Sequence, residues 1–201
     1  MNIQELKDLQ PLVYQQFVTI LEQGRLAHAY LFSGDFASFE MALFLSQALF
    51  CQEKVGVLPC GKCRSCRLIE SNDFSDVTIV APQGNFIKTD TIRELVKNFS
   101  QSGFESSQQV FIIRDAEKMH VNAANSLLKV IEEPQSTIHI FLLTNQEEAV
   151  LPTIKSRTQI ISFPQNLPYL ERFLEEEGLL KTQASLIARL VSSQEEAKRL
   201  A

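Results

Sequence analysis

The chain has 201 residues, 45% of them apolar and 21% charged, with a net charge of −5. That is enough apolar material for one large globular domain, or one plus a small satellite, and it excludes collagen-like, low-complexity and disordered classes. The acidic balance provides no general basic field, so any contact with nucleic acid would need a local patch.

The opening Met1-Asn2-Ile3-Gln4-Glu5-Leu6 has neither the basic nor the apolar segment of a signal peptide. No run approaches the roughly eighteen apolar residues of a membrane helix. A cytoplasmic protein without a membrane partner is expected.

In chain order, helical spacing over Pro11 to Gln23 puts Leu12, Phe17, Ile20 and Leu21 on one side. A strand follows at Ala29-Tyr30-Leu31-Phe32, then a helix over residues 38 to 50 carrying Ala42, Leu45, Leu49 and Phe50. Val77-Thr78-Ile79-Val80 reads as a strand, and Thr89 or Asp90 can cap a helix through Ile92, Leu95, Val96 and Phe99. Val110 to Ile113 is a third strand. Asn122 can cap a helix whose Ala124, Leu127, Leu128 and Ile131 share a face, and Pro134 stops it.

Two further strands are expected at Ile138 to Leu143 and Gln159 to Phe163. Short, almost continuously apolar strands separated by helices indicate a parallel sheet buried on both faces. The strand signal ends at Phe163-Pro164, and residues 167 to 201 read as two or three short helices, broken near Gly178 and Ser192-Ser193. The expected fold class is α/β, with a base domain over 1–164 and a helical lid over 165–201.

All four cysteines fall within one stretch, spaced Cys51-x8-Cys60-x2-Cys63-x2-Cys66. A disulfide framework would spread its cysteines to join distant segments, whereas clustering indicates a metal. Four thiolates in this pattern suit structural zinc, with no coordination position left open for catalysis. Lys62, Arg64 and Arg67 can offset the charge of such a site. An iron–sulfur cluster is the rival, although the final Cys-Pro of the ferredoxin run is absent; four unrelated thiols are the plainest alternative.

After the first strand, Gly34-Asp35-Phe36-Ala37-Ser38-Phe39-Glu40-Met41 occupies the place of a phosphate-binding loop of the G-x-x-x-x-G-K-[ST] kind. Only Gly34 fits. Phe39 replaces the second Gly, Glu40 the Lys and Met41 the metal-binding hydroxyl, which removes the anion cradle.

Several blocks occur in order: His28-Ala-Tyr-Leu-Phe-Ser-Gly34, the four-cysteine insert, Thr91-Ile92-Arg93-Glu94-Leu95, Asn125-Ser-Leu-Leu-Lys-Val-Ile-Glu-Glu-Pro134 and Ser156-Arg157-Thr158. Together they resemble the bacterial clamp-loader AAA+ family over nearly the whole chain. The resemblance implies a P-loop NTPase-like sheet with a zinc module at about 51–66 and a small helical lid. Family members normally continue into a collar domain, expected to be absent from a sequence that stops at Ala201.

Aligned with the family, the magnesium-binding Asp falls on Arg114 and the catalytic Glu on Asp115. A guanidinium cannot ligate Mg²⁺, and Asp is one methylene short for positioning water. The sensor-1 position falls on Thr144 or Asn145, and the lid arginine on Glu195 or Glu196. No ATP is therefore expected in this chain.

Ser156-Arg157-Thr158 is similar to the family's Ser-Arg-Cys motif, whose arginine reaches into the ATP site of a neighbouring subunit. A planar, permanently charged fork suits that task. Taken alone, Arg157 would read as a surface ion pair. The resemblance implies a non-catalytic subunit of the DNA polymerase III clamp loader, partnered by gamma/tau and delta subunits. The sliding clamp and primer-template DNA would be engaged through the complex. The alternatives are a divergent ATPase that still binds nucleotide, or a zinc-dependent nucleic-acid reader. His28 and His139 read as packed or capping, Lys129 as solvated, and no hydrolytic triad stands out.

Overall fold

The structure, a computed structural model, describes residues 3–99, 108–133, 137–191 and 194–200. Five strands, β1 (Ala29–Ser33), β2 (Val77–Val80), β3 (Gln108–Ile113), β4 (Thr137–Thr144) and β5 (Gln159–Ser162), form one sheet in the order β2-β3-β4-β1-β5. Every pairing is parallel, with Ser33 of β1 in register with both Thr144 and Ser162.

Side chains alternate across a strand, so each β-strand feeds two cores. Tyr30, Phe32, Val110, Ile112, Phe141 and Leu143 pack with α1 (Ile3–Leu9), α2 (Pro11–Glu22), α3 (Ser38–Phe50) and α4 (Arg64–Glu70). Leu31, Phe111, Ile113, Ile140 and Leu142 pack on the other face with α5 (Thr89–Phe99), α6 (Val121–Glu132) and α7 (Pro152–Lys155). Full burial of each large side chain contributes about 1.5–3 kcal/mol, and the doubly covered strands supply buried side chains to both cores.

Local details depart from the sequence reading. Leu12 is 84% exposed, whereas Val13, Tyr14 and Phe17 are buried. Leu12 lies about 140° around the helix from Phe17, outside the stripe that meets the sheet. Helix α3 is buried nearly all round, because it lies between the sheet, α1 and α4. His120, not Asn122, occupies the N-cap of α6, and Thr89 and Asp90 lie within the first turn of α5. Pro134 and Ser192-Ser193 lie outside the described residues, as does the Glu195 side chain.

Beyond β5 come α8 (Leu167–Glu176), α9 (Lys181–Leu190) and α10 (Gln194–Leu200). They bury Leu170, Leu174, Ala184, Ala188 and Ala197 around Phe36, a residue of the loop after β1. Gln10, itself buried, ties the segments together by donating to the Phe36 carbonyl at 2.9 Å and the Pro164 carbonyl at 2.7 Å. The Asn166 amide donates to the carbonyls of Asp8 and Leu9 at 3.0 and 3.1 Å. Among the described residues, no helix is long and apolar enough to cross a membrane.

Candidate functional site

In a parallel sheet, ligands enter at the carboxyl ends of the strands, where neighbouring connections diverge. Here that edge carries Gly34 after β1, Arg114 and Asp115 after β3, and Thr144 and Asn145 at the end of β4. Sheet topology thus gathers the residues that the sequence assigns to a nucleotide site.

The same edge is closed. Gly34 has φ +116°, and its N–H donates to Thr144 O at 2.8 Å. A Cβ there would lie 2.3 Å from the Phe163 carbonyl oxygen, so glycine is needed for strand packing whether or not phosphate binds. Phe36 turns away into the helical cluster beyond β5. The Arg114 guanidinium lies over the Phe39 ring, 4.9 Å from its centroid. The cavity left between Ser38, Phe39, Arg114, Asp115 and Thr144 encloses about 80 Å³, whereas small-molecule pockets span about 300–1,000 Å³.

The remaining polar groups on this edge are engaged with one another. Asp115 pairs with Lys118 at 3.3 Å. The Thr144 hydroxyl donates to Glu117 at 2.6 Å and accepts from Gln146 N–H at 3.0 Å. Met41 is fully buried in the core, and Glu40 lines a separate hollow with Ile3 and Leu6. Glu40 therefore does not line the crevice, which Phe39 and Arg114 narrow instead. The sequence reading missed Glu117, whose position in a short 3-10 turn, Ala116–Lys118, only the fold brings to Thr144.

Arg157 sits elsewhere. The chain leaves the crevice after β4, passes through α7 and reaches Ser156-Arg157 before β5 begins, at the amino end of the strands. From Gln159 to Ser162 the strand rises about 10 Å, so Arg157 lies at the opposite end of β5 from the chain's own crevice. Its Nε donates to Glu132, the last residue of α6, and its Nη1 donates to Ser156 Oγ at 3.2 Å and Thr153 O at 3.3 Å. Ser156 Oγ in turn donates to Thr153 O at 3.1 Å. The Arg157 and Glu132 side chains are 40% and 47% exposed.

The third constellation spans the link from α3 to α4. Cys51 follows α3, Cys63 precedes α4 and Cys66 lies within it. All four cysteines are free thiols, with every Sγ within 4.8 Å of the others. A tetrahedral ion at about 2.3 Å requires sulfurs about 3.8 Å apart, and Cys63 Sγ lies 3.9 Å from Cys51 Sγ. Gly61 at φ +68° makes the turn that aims the N–H groups of Lys62 and Cys63 at Cys60 Sγ, at 3.4 and 3.3 Å. The Cys60 N–H points at Cys51 Sγ at 3.3 Å.

Burial pushes the Cys51 and Cys66 thiols up. Burial acts the same way on Cys63, but backbone N–H groups and neighbouring thiols outweigh it and bring this thiol down to about 6. A compact all-sulfur donor set stabilised by main-chain N–H groups fits a closed metal centre.

Of the two histidines read as packed or capping, His139 is buried and His28 is exposed beside it. His139 is buried and its Nδ1 lies 3.0 Å from Ala27 O, while the His28 ring stacks alongside at 6.1 Å.

The family model described as DNA polymerase III, delta subunit, matches residues 9–166. The delta-prime subunit of DNA polymerase III from Bacillus subtilis (strain 168) is 39% identical over 199 residues, covering 98% of this chain and 60% of that protein. The delta-prime subunit from Pseudomonas aeruginosa is 35% identical over 160 residues, covering 75% of this chain and 49% of that one. The chain thus spans roughly half to three-fifths of the length of these relatives. Among solved structures, a DNA polymerase III gamma subunit-related protein from Thermotoga maritima superposes with TM-score 0.59 at 24% identity, covering 92% of this chain and 57% of that one. That likeness establishes the α/β fold with its flanking helices. By sequence, the chain belongs to the DNA polymerase III delta-prime family of clamp-loader subunits.

Proposed function

We propose that this chain is a non-catalytic AAA+ subunit of the DNA polymerase III clamp loader. In this role it lends Arg157 to ATP bound by an adjoining gamma/tau subunit and helps open and load the sliding clamp on primed DNA. Gamma/tau and delta subunits are its direct partners, primer-template DNA is met through the complex, and the setting is cytoplasmic. Residues 1–164 act as the base domain and 165–201 as the lid.

One observation carries the reading: Arg157 occupies the sheet edge opposite a crevice that Phe39 and Arg114 fill. A cationic fork remote from its own blocked site serves chemistry in another subunit, where it offsets charge moving onto phosphoryl oxygens. Such fingers contribute about a thousandfold or more in rate. In a loader assembled from full-length subunits, Arg157→Ala should depress DNA-stimulated ATP turnover by about that factor at the neighbouring site. Unchanged turnover would remove the finger assignment. Saturable micromolar ATP binding by this subunit alone would instead favour the divergent-ATPase reading.

The cysteine centre is assigned to zinc, in a structural role. Its four thiolates would hold the ion and leave no position for substrate, so the metal would order the link between α3 and α4.

A further inference from the structure

The Glu132–Arg157 contact joins two motifs that are 25 residues apart in sequence. Glu132 is the last residue of α6, where the negative end of the helix dipole disfavours a carboxylate unless a cation offsets it. Arg157 supplies that cation. The division of the guanidinium is specific: Nε goes to Glu132, Nη1 goes to Ser156 Oγ and Thr153 O, and Nη2 makes no hydrogen bond among the described residues.

We propose that Glu132 is a positioning residue for Arg157, gripping the Nε edge so that the Nη2 edge is presented outward for a phosphoryl oxygen of a nucleoside triphosphate held by a neighbouring subunit. This inference rests on the finger reading above and names the device that serves it. An unrestrained arginine would have to freeze its rotamers as it met the phosphate. With Nε and Nη1 already anchored, much of that ordering is complete before the subunits meet. Ser156, through Nη1, shares the task. Because Glu132 binds Nε, it leaves the outward donor free.

The test uses the full-length subunit in a reassembled loader, with Glu132→Gln, Arg157→Ala and the double variant. Glu132→Gln keeps the side-chain volume at a half-exposed site, and its melting temperature should stay close to wild type. Loss of precise placement should lower the neighbour's kcat about tenfold with KM for ATP little changed. In the Arg157→Ala background the Glu132 change should have no further effect. A fall of the same size in both backgrounds, or none in either, would overturn the positioning role.

A readout independent of turnover is the Arg157 Nε–H proton resonance of the isolated subunit. It should exchange slowly with water in the wild type and rapidly in Glu132→Gln; fast exchange in both means no grip and also overturns the proposal. If Arg157→Ala leaves turnover intact while the resonance is protected, the finger reading fails and the positioning role falls with it. A full effect of Arg157→Ala with none from Glu132→Gln rejects only the positioning role.

Discussion

The Arg114 guanidinium covers the Phe39 ring at 4.9 Å, joining the end of β3 to the first turn of α3 across the crevice where a nucleotide would enter. Two departures from a phosphate-binding pattern thus form one contact, with the cation engaged by an aromatic face. Replacing Arg114 by Ala removes about 0.5–1 kcal/mol of cation–π attraction, which lowers Tm by about 2 °C in a chain of this size. Calorimetric titration with Mg-ATP should show no saturable heat for the wild type or for Arg114→Ala, because neither has the loop lysine. Binding gained by Arg114→Ala would mean that the arginine alone excludes nucleotide.

Gly34 is constrained on two counts: a φ of +116° and a Cβ position 2.3 Å from the Phe163 carbonyl oxygen. Gly34→Ala must shift β5 or the loop, and should cost about 3 kcal/mol. Urea unfolding checks this directly. A loss below about 1 kcal/mol would show that the β1–β5 junction yields easily.

Metal content tests the cysteine centre. Freshly purified protein, prepared without chelator, should carry about one equivalent of zinc by elemental analysis, and Cys66→Ser less than half. Because burial holds Cys51 and Cys66 in the protonated form, metal uptake must release protons. Affinity therefore falls as pH falls, and competition with a chromophoric chelator should favour the chelator more at pH 6 than at pH 8. The opposite pH trend would exclude thiolate ligation.

Burial lowers the pKa of His139, a trend that the Ala27 carbonyl opposes. The unfolded chain then takes up a proton below about pH 6.5 that the folded chain resists, so folding stability declines as pH drops through that range. Above it both states are neutral and the contribution is flat. His139→Asn should remove part of the acid-side slope of Tm between pH 7.5 and 5.5. An unaltered slope would assign it to other groups.

Much of the architecture was legible because it depends on local rules. Apolar runs such as Val110 to Ile113 are too short for membrane spans and too continuous for an exposed sheet, so they specify parallel strands covered on both faces. The cysteine spacing was equally explicit. Helix details were less so: Leu12 is as apolar as its neighbours, and only the direction in which α2 meets the sheet leaves it outside. His120 displaced Asn122 from the cap of α6 because that helix begins two residues earlier than the capping pattern indicates.

The sequence by itself determined the family, the parallel α/β plan, the thiol cluster and the lost phosphate-loop residues, since each depends on residue type at fixed spacing. Tertiary structure decided which of those positions face the crevice. It turned Glu40 toward α1, buried Met41 and set Arg114 over Phe39, because helix orientation and strand order determine where side chains point. It also carried Arg157 to the far edge of the sheet and met it there with Glu132. No spacing rule links residues so far apart; the contact exists because a helix antiparallel to the strands returns its carboxyl end to the edge where β5 starts.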